Sequence, residues 1–322
     1  MTDGAGPPPA GAPWTAEVDV TPQLAAELIR GQFPELPASQ VSLLETGWDN
    51  TAFLVDGQWL FRFPRREIAL PGVRREIAVL PRLAAVLPLP IPDPRFTGRP
   101  TPRYPWPFFG ARLLPGTEYA DAALPEDRRV RTAAAVGGFL RVLHDPGLVT
   151  LVDGDGLPVD PMRRATPGIR AVRAREVVER LSQQGIWSPG REVSGLLEEA
   201  ARAPAGAGGG PAGGPFVVCH GDLHLRHLLV DGDGAATGVI DWGDLCLGDP
   251  AVDLMIAYLA FEGEARAALL AAYGGPVGAE RELAARTCAV SVGVALLEYA
   301  ADEGRAALAR ESIAGLRRAV SA

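Results

Sequence analysis

The chain has 322 residues, 47% hydrophobic and 22% charged, enough to bury a substantial core in one large or two modest domains. All 31 basic residues are arginine, and the absence of lysine excludes a Walker-type phosphate loop and Schiff-base chemistry. A net charge of -8 argues against a nucleic-acid partner, which would need a basic face.

Residues 1–13 are rich in Pro, Gly and Ala and read as a disordered tail, without the basic start and apolar core of a signal peptide. No apolar run approaches the ~18 residues of a membrane helix, so no membrane partner is expected. Cys219, Cys246 and Cys288 are odd in number and far apart, which speaks against a disulfide framework and fits a reducing cytoplasm.

A Thr-Pro start and a closing Gly predict a helix over Thr21 to Gly31. Three short β-branched or aromatic runs follow, Val41 to Leu44, Thr51 to Val55 and Trp59 to Phe63. They are separated by Gly47-Trp48-Asp49-Asn50 and by Asp56-Gly57, as in antiparallel strands. A helix from Val73 to Val86, kinked at Pro81, leads through proline-rich sequence to a last strand over Phe108 to Leu114, which Pro115-Gly116 ends. Residues 14–116 thus read as a small sheet-based lobe.

Residues 117–322 read as a mostly helical lobe. Val130, Ala134, Val136, Phe139, Leu140 and Leu143 recur at helical spacing within Glu126 to His144. Arg164 to Gln184 reads as a helix whose arginines form a solvated face, Ala205 to Gly214 as a flexible loop, and the sequence from Ala251 onward as three or four helices.

The chemistry concentrates between Val217 and Asp253. If Leu228 to Val230 pairs with Gly238 to Ile240 across a turn centred on Gly234, His227 and Asp241 sit opposite one another with Cα atoms about 5 Å apart. Asp222 lies in the loop leading into that hairpin. A carboxylate beside a metal-binding pair suits phosphoryl transfer from a nucleotide, with Asp222 as the base toward a hydroxyl acceptor and His227 with Asp241 holding Mg²⁺. Imidazole is an unusual ligand for Mg²⁺.

Three segments carry a resemblance. His220-Gly221-Asp222-Leu223-His224, Ile240-Asp241-Trp242-Gly243-Asp244 nineteen residues after Asp222, and Gly248-Asp249-Pro250-Ala251-Val252-Asp253 resemble the aminoglycoside phosphotransferase superfamily. The resemblance implies an α+β, bilobal protein-kinase-like fold with a small antiparallel β-sheet N-lobe and a mostly helical C-lobe. It also implies Mg²⁺, with ATP or GTP as co-substrate. Trp59-Leu60-Phe61-Arg62-Phe63-Pro64-Arg65 is similar to the strand bearing the phosphate-contacting cation, and Arg74-Arg75-Glu76 to the helix bearing its acidic partner. Arg62 is accordingly expected to pair with Glu76. Leu113-Leu114-Pro115-Gly116 is similar to the interlobe hinge whose backbone receives the nucleotide base.

The chain departs from the commonest family pattern in having His227 where Asn is usual and Arg62 where Lys is usual. His227, the Gly-Trp-Asp-Asn turn and the Phe-Arg-Phe-Pro strand look more like the 2''-aminoglycoside and macrolide phosphotransferases. Arg62 keeps the charge but replaces a compact ammonium with a wider fork. The expected acceptor is a hydroxyl of a small molecule, first an aminoglycoside, then a macrolide. A metabolic amino alcohol or sugar, or a nucleotide-binding pseudoenzyme, is the alternative.

Competing readings attach to the same residues. His220, His224 and His227 have i, i+4 and i+7 spacing, which opens a zinc reading. His220, Asp244 and Asp253 read as structural, and His144 as packed or capping. The Asp-Gly-Asp-Gly runs at Asp153 and Asp231 read as ordinary turns. Between Val252 and Glu303 eight acids, among them Glu262, Glu282 and Glu298, outnumber three arginines, an acidic wall that would suit a cationic substrate.

Overall fold

The computed structural model describes residues 16–47, 49–152, 156–203 and 215–321. The tail, Trp48 of the first turn, residues 153–155 and the glycine-dense stretch lie outside them. The chain divides into two compact units, Met1–Pro81 with Pro92–Leu113, and Arg82–Ile91 with Leu114–Ala322.

The first unit opens with α1 (Pro22–Gln32), whose first turn is capped by Thr21, its hydroxyl accepting the Leu24 N–H at 3.2 Å. Three strands follow: β1 (Val41–Thr46), β2 (Asn50–Val55) and β3 (Trp59–Pro64). The β2–β3 connection bends through Asp56 and Gly57 at φ 50° and 68°, the positive values that a tight hairpin turn demands. After α2 (Leu70–Ala84) come β4 (Phe96–Gly98) and β5 (Phe108–Arg112), giving an antiparallel sheet in the order β1-β2-β3-β5-β4.

β4 was not expected. It is a three-residue edge strand in proline-rich sequence, too short to show an alternation of its own. One face of the sheet buries Phe53, Phe61, Phe63 and Phe108, and the Phe63 and Phe108 rings stack at 4.4 Å. The buried Tyr104 hydroxyl is satisfied by donating to the Pro64 carbonyl at 2.6 Å.

The second unit begins with β6 (Thr117–Glu118), α3 (Tyr119–Ala122), α4 (Glu126–Leu143) and α5 (Pro146–Val152). Next come α6 (Pro167–Gln183) and α7 (Arg191–Arg202), then four short strands: β7 (Val217–Cys219), β8 (Leu228–Val230), β9 (Ala236–Val239) and β10 (Cys246–Gly248). The chain closes with α8 (Ala251–Leu259), α9 (Gly263–Tyr273), α10 (Ala279–Asp302) and α11 (Ala306–Val320).

α8 is buried at every position, as its nearly unbroken apolar sequence requires. α4 lies close against α9 because residue 137 is glycine: a Cβ there would come within 2.2 Å of the Leu269 carbonyl oxygen. By length and composition α10 could cross a membrane, contrary to the expectation that no apolar run does. Its apolar window is 72% buried, and Ala289 to Val294 are packed inside the unit, as befits a core helix.

α6 starts at Pro167, so Arg164 stands before it rather than on a solvated helical face, and Arg170 within it is also buried. Four of the eight acids counted in the last helices are accounted for by burial or an arginine. Asp253 is fully buried, while Glu262, Glu282 and Glu298 face Arg318, Arg286 and Arg180 at 3.7, 3.8 and 2.7 Å. The three cysteines are free and buried.

Candidate active site

Two antiparallel pairings bring two loops together. β7 pairs with β10, and β8 with β9, so the loop from His220 to His227 and the loop from Ile240 to Leu245 leave neighbouring strand ends. Two hydrogen bonds stitch them: Ile240 N–H donates to the His227 carbonyl at 2.9 Å, and His220 Nε2 donates to the Ile240 carbonyl at 3.0 Å.

The hairpin register is one residue away from the expected one. Leu228 pairs with Val239 and Leu229 with Gly238, and a bulge at Val230 brings in Ala236. The turn explains the offset: Asp231 Oδ1 accepts the N–H groups of both Asp233 and Ala235 at 2.9 Å, an Asx-type closure that shortens the ladder. His227 therefore stands across from Ile240. Asp241 still reaches it because its backbone turns through φ 63°, bringing its Oδ2 to 3.7 Å from His227 Nε2. A positive φ at a non-glycine residue is the kind of strain that functional loops store.

Hydrogen bonds assign the proton on each imidazole. His220 Nδ1 accepts the Asp222 N–H at 3.1 Å while Nε2 donates to Ile240, so both nitrogens are committed to holding the loops. His224 Nδ1 accepts the Arg226 N–H at 3.3 Å, which leaves the proton on Nε2, 3.5 Å from Asp222 Oδ2. His227 is the reverse: Nδ1 donates to the Asp222 main-chain oxygen at 2.8 Å, so Nε2 is the acceptor nitrogen facing Asp241. Burial, with His227 nearby, drives the His224 pKa well below its ordinary value, and burial also lowers that of His220, so both rings stay neutral.

These assignments decide which cation the site fits. Ligating atoms of Asp222, His224 and His227 lie within 4.8 Å of one another, but His224 offers a proton rather than a lone pair, and His220 has no nitrogen to spare. The three-histidine zinc reading fails on this chemistry. His227 Nε2 and Asp241 Oδ2 are two acceptors turned toward each other, a donor set that fits a divalent cation between them. The Nδ1–H bond to a carbonyl is the support that ligating histidines usually have.

Beneath the His220 loop lies Asp253, fully buried. It accepts the N–H groups of His220 at 2.7 Å and Gly221 at 3.0 Å, and His144 Nε2 approaches at 3.1 Å. Burial alone would raise its pKa; the His144 bond, with His220 and the Gly221 N–H, holds it below the usual carboxylate value. The expected structural roles of Asp253 and His144 thus become a specific brace, directed at residues 220–221. Gly221 is required there: its φ is 90°, and a Cβ would meet the Asp244 carbonyl oxygen at 2.1 Å.

Arg164 was missed as a site residue. Its Nη2 donates to Asp222 Oδ1 at 2.9 Å and its Nη1 to Asp244 Oδ2 at 2.8 Å, although both partners lie far from it in sequence. Asp244, read only as structural, is thereby tied to the Asp222 carboxylate. A helical window that places arginines on solvent gives no sign of this; the break at Pro167 is the available signal.

In the first unit the expected pairing of Arg62 with Glu76 is present, Nη1 to Oε1 at 2.7 Å, with the Glu76 side chain fully buried. Asp49 is held at the β1–β2 turn by Arg66 at 2.9 Å. Leu114 opens the larger part of the second unit, half-buried, where its side chain lies over the glycine at position 238. Asp222, His227 and Asp241 thus form one cluster, Arg62 and Glu76 a pair in the other unit, and Leu114 lies against β9 at position 238.

A profile of the phosphotransferase enzyme family matches residues 40–285, three quarters of the chain and all of these positions. The chain belongs to that family. Among curated proteins it is 27% identical over 287 residues to the uncharacterized protein YcbJ of Bacillus subtilis strain 168, covering 81% of this chain and 85% of that one. Its fold is that of the family's kinase-like structures. The GDP complex of wild-type aminoglycoside 2'-phosphotransferase-IIIa superposes with TM-score 0.66 at 22% identity, covering 93% and 98% of the two chains. Macrolide 2'-phosphotransferase type I superposes with TM-score 0.57 at 21% identity, covering 95% and 99%.

Proposed function

We propose that this phosphotransferase moves the γ-phosphoryl group of ATP or GTP to a hydroxyl of a small molecule, with Asp222 as the base. The observation that carries this reading is the convergence of Asp222, His227 and Asp241 from two hydrogen-bonded loops. The acceptor oxygen forms its bond to the γ-phosphorus as the bond to the nucleoside diphosphate breaks, and its proton passes to the Asp222 carboxylate. His227 Nε2 and Asp241 would hold Mg²⁺, which would offset charge on the phosphate oxygens. Arg62, fixed by Glu76, contacts the nucleotide phosphates, and the backbone at Leu114 receives the base.

For the acceptor, an aminoglycoside comes first and a macrolide second. A structure described as a GDP and kanamycin complex resembles this chain with TM-score 0.64, and one described with gentamicin with 0.55. The second reading, a metabolic amino alcohol or sugar, is favoured by one observation: Glu262, Glu282 and Glu298 already face arginines and offer a polycation less than their number suggests. The intact Asp222 and Asp241 weigh against a pseudoenzyme, for which Arg62 and His227 are the departures that count, and three buried free thiols support a reducing, cytoplasmic setting.

The experiment is a panel of aminoglycosides, macrolides, amino alcohols and sugars, each incubated with Mg²⁺ and ATP or GTP and analysed by mass spectrometry for a phosphorylated product. A product from any member supports phosphotransfer and names the acceptor class. Nucleotide binding with neither product nor nucleotide turnover contradicts the reading.

A further inference from the structure

Arg164 occupies an unusual place for a residue with only a structural task. Its side chain is 11% exposed, while its partners Asp222 and Asp244 are 23% and 39% exposed. The two acids reach solvent and need no buried partner for their own solvation; the guanidinium is the member that gives up water. Its Nε is buried without an acceptor, so the orientation of the fork is set by the two carboxylates.

The backbone around Arg164 is built to hold it there. Asp160 Oδ1 accepts the Arg164 N–H at 2.8 Å, and Oδ2 accepts that of Ala165 at 3.0 Å. Asp160 N–H in turn donates to Leu247 on β10 at 2.8 Å, and Val159 forms a parallel bridge with Leu247. The segment that delivers Arg164 is therefore anchored on the strand that follows the loop bearing Asp241 and Asp244. Burial opposes its charge, and Asp222 with Asp244 sustains it.

We infer that Arg164 is a positioning residue for phosphoryl transfer: one arm of its fork fixes Asp222 Oδ1 so that Oδ2 is presented to the acceptor hydroxyl, while the other, held by Asp244, keeps the fork itself in place. This rests on the assignment of Asp222 as the base. Oδ2 already lies among polar hydrogens, 3.5 Å from His224 Nε2, and Oδ1 is taken by Arg164. A planar fork can hold two carboxylates at a fixed separation; a lysine ammonium in its place is a point charge on a flexible stem. Orienting the acceptor is where the base matters most if the transition state is loose, so a misaimed Asp222 lowers the rate without weakening nucleotide binding.

The test is a double-mutant cycle on the full chain, with Mg²⁺ and ATP or GTP, water as the acceptor and phosphate release as the readout. Arg164→Gln should lower kcat by about 10- to 100-fold in the native background and by less than about 2-fold in the Asp222→Asn background, because it acts through Asp222. Nucleotide Kd should stay within about 2-fold, and Arg164→Lys should recover part of the loss. Equal losses in both backgrounds, or a loss confined to nucleotide KM, would overturn the inference. If Arg164→Gln does not fold, as its melting curve will show, the same cycle with Arg164→Lys decides on the same criterion. If Asp222→Asn alone leaves phosphate release unchanged, the base assignment falls and this inference with it; failure of Arg164 alone leaves that assignment standing.

Discussion

The imidazole of His227 donates from Nδ1 to the main-chain oxygen of Asp222, 2.8 Å away, and so turns an unprotonated Nε2 toward Asp241, 3.7 Å distant. With the proposed roles, this one hydrogen bond would link the Asp222 loop to the choice of cation. An imidazole nitrogen beside a carboxylate favours Mn²⁺ over Mg²⁺ more than two oxygens do. Titration of nucleotide complexes by calorimetry should show Mn²⁺-nucleotide binding tighter than Mg²⁺-nucleotide, with His227→Asn narrowing the difference and His227→Phe weakening both by about 10-fold or more. Equal affinities in native protein and His227→Phe would remove His227 from the metal site.

Asp253 accepts two backbone N–H groups of the His220 loop from a fully buried position, so Asp253→Asn should destabilise the protein by about 3 kcal/mol in chemical unfolding. Because its pKa in the folded chain is depressed, the unfolded state binds more protons between that pKa and the ordinary carboxylate value. The stability difference between native protein and variant should be complete above about pH 4 and shrink as the pH falls further. A difference that does not vary with pH between 3 and 6 would contradict the brace.

Much of this site was legible in the sequence, for physical reasons that particular residues make clear. Asp222, His227 and Asp241 bracket two apolar strands around one turn, and a hairpin necessarily brings its ends together. The register was misread by one residue because the Asp231 side chain, which closes the turn, adds a bulge that strand alternation does not announce. Arg164 was hidden for a different reason. Its role depends on Asp222 and Asp244, partners contributed by separate loops, whereas local periodicity assigns a charged residue to solvent by default. Arg62 and Glu76 were found only through resemblance, since nothing local marks their pairing.

The glycine of the His-Gly-Asp motif gives a sharper test of the loop. Gly221→Ala forces a Cβ onto the Asp244 carbonyl oxygen at a φ of 90°. Backbone strain and the clash should together cost about 3 kcal/mol and displace the Asp222 carboxylate. A variant with native melting temperature and native turnover would show that the loop is not held as described.

In the first unit, Glu76→Gln removes the negative charge that pairs with Arg62 at 2.7 Å. Nucleotide KM should rise by about 10-fold or more, as it should for Arg62→Met, with little further loss in the double variant because the two act as a pair. Arg62→Lys keeps the charge and should retain activity within about 10-fold. Additive losses in the double variant would mean that Glu76 and Arg62 serve separate tasks.

The central claim is that Asp222 is the group that prepares the acceptor hydroxyl. The most direct measurement compares Asp222→Asn with the native chain for nucleotide affinity and, on the acceptor the panel identifies, for single-turnover phosphotransfer. Affinity should stay within about 3-fold while the transfer rate falls by at least about 100-fold. A native transfer rate, or a loss explained entirely by weaker nucleotide binding, would contradict the account.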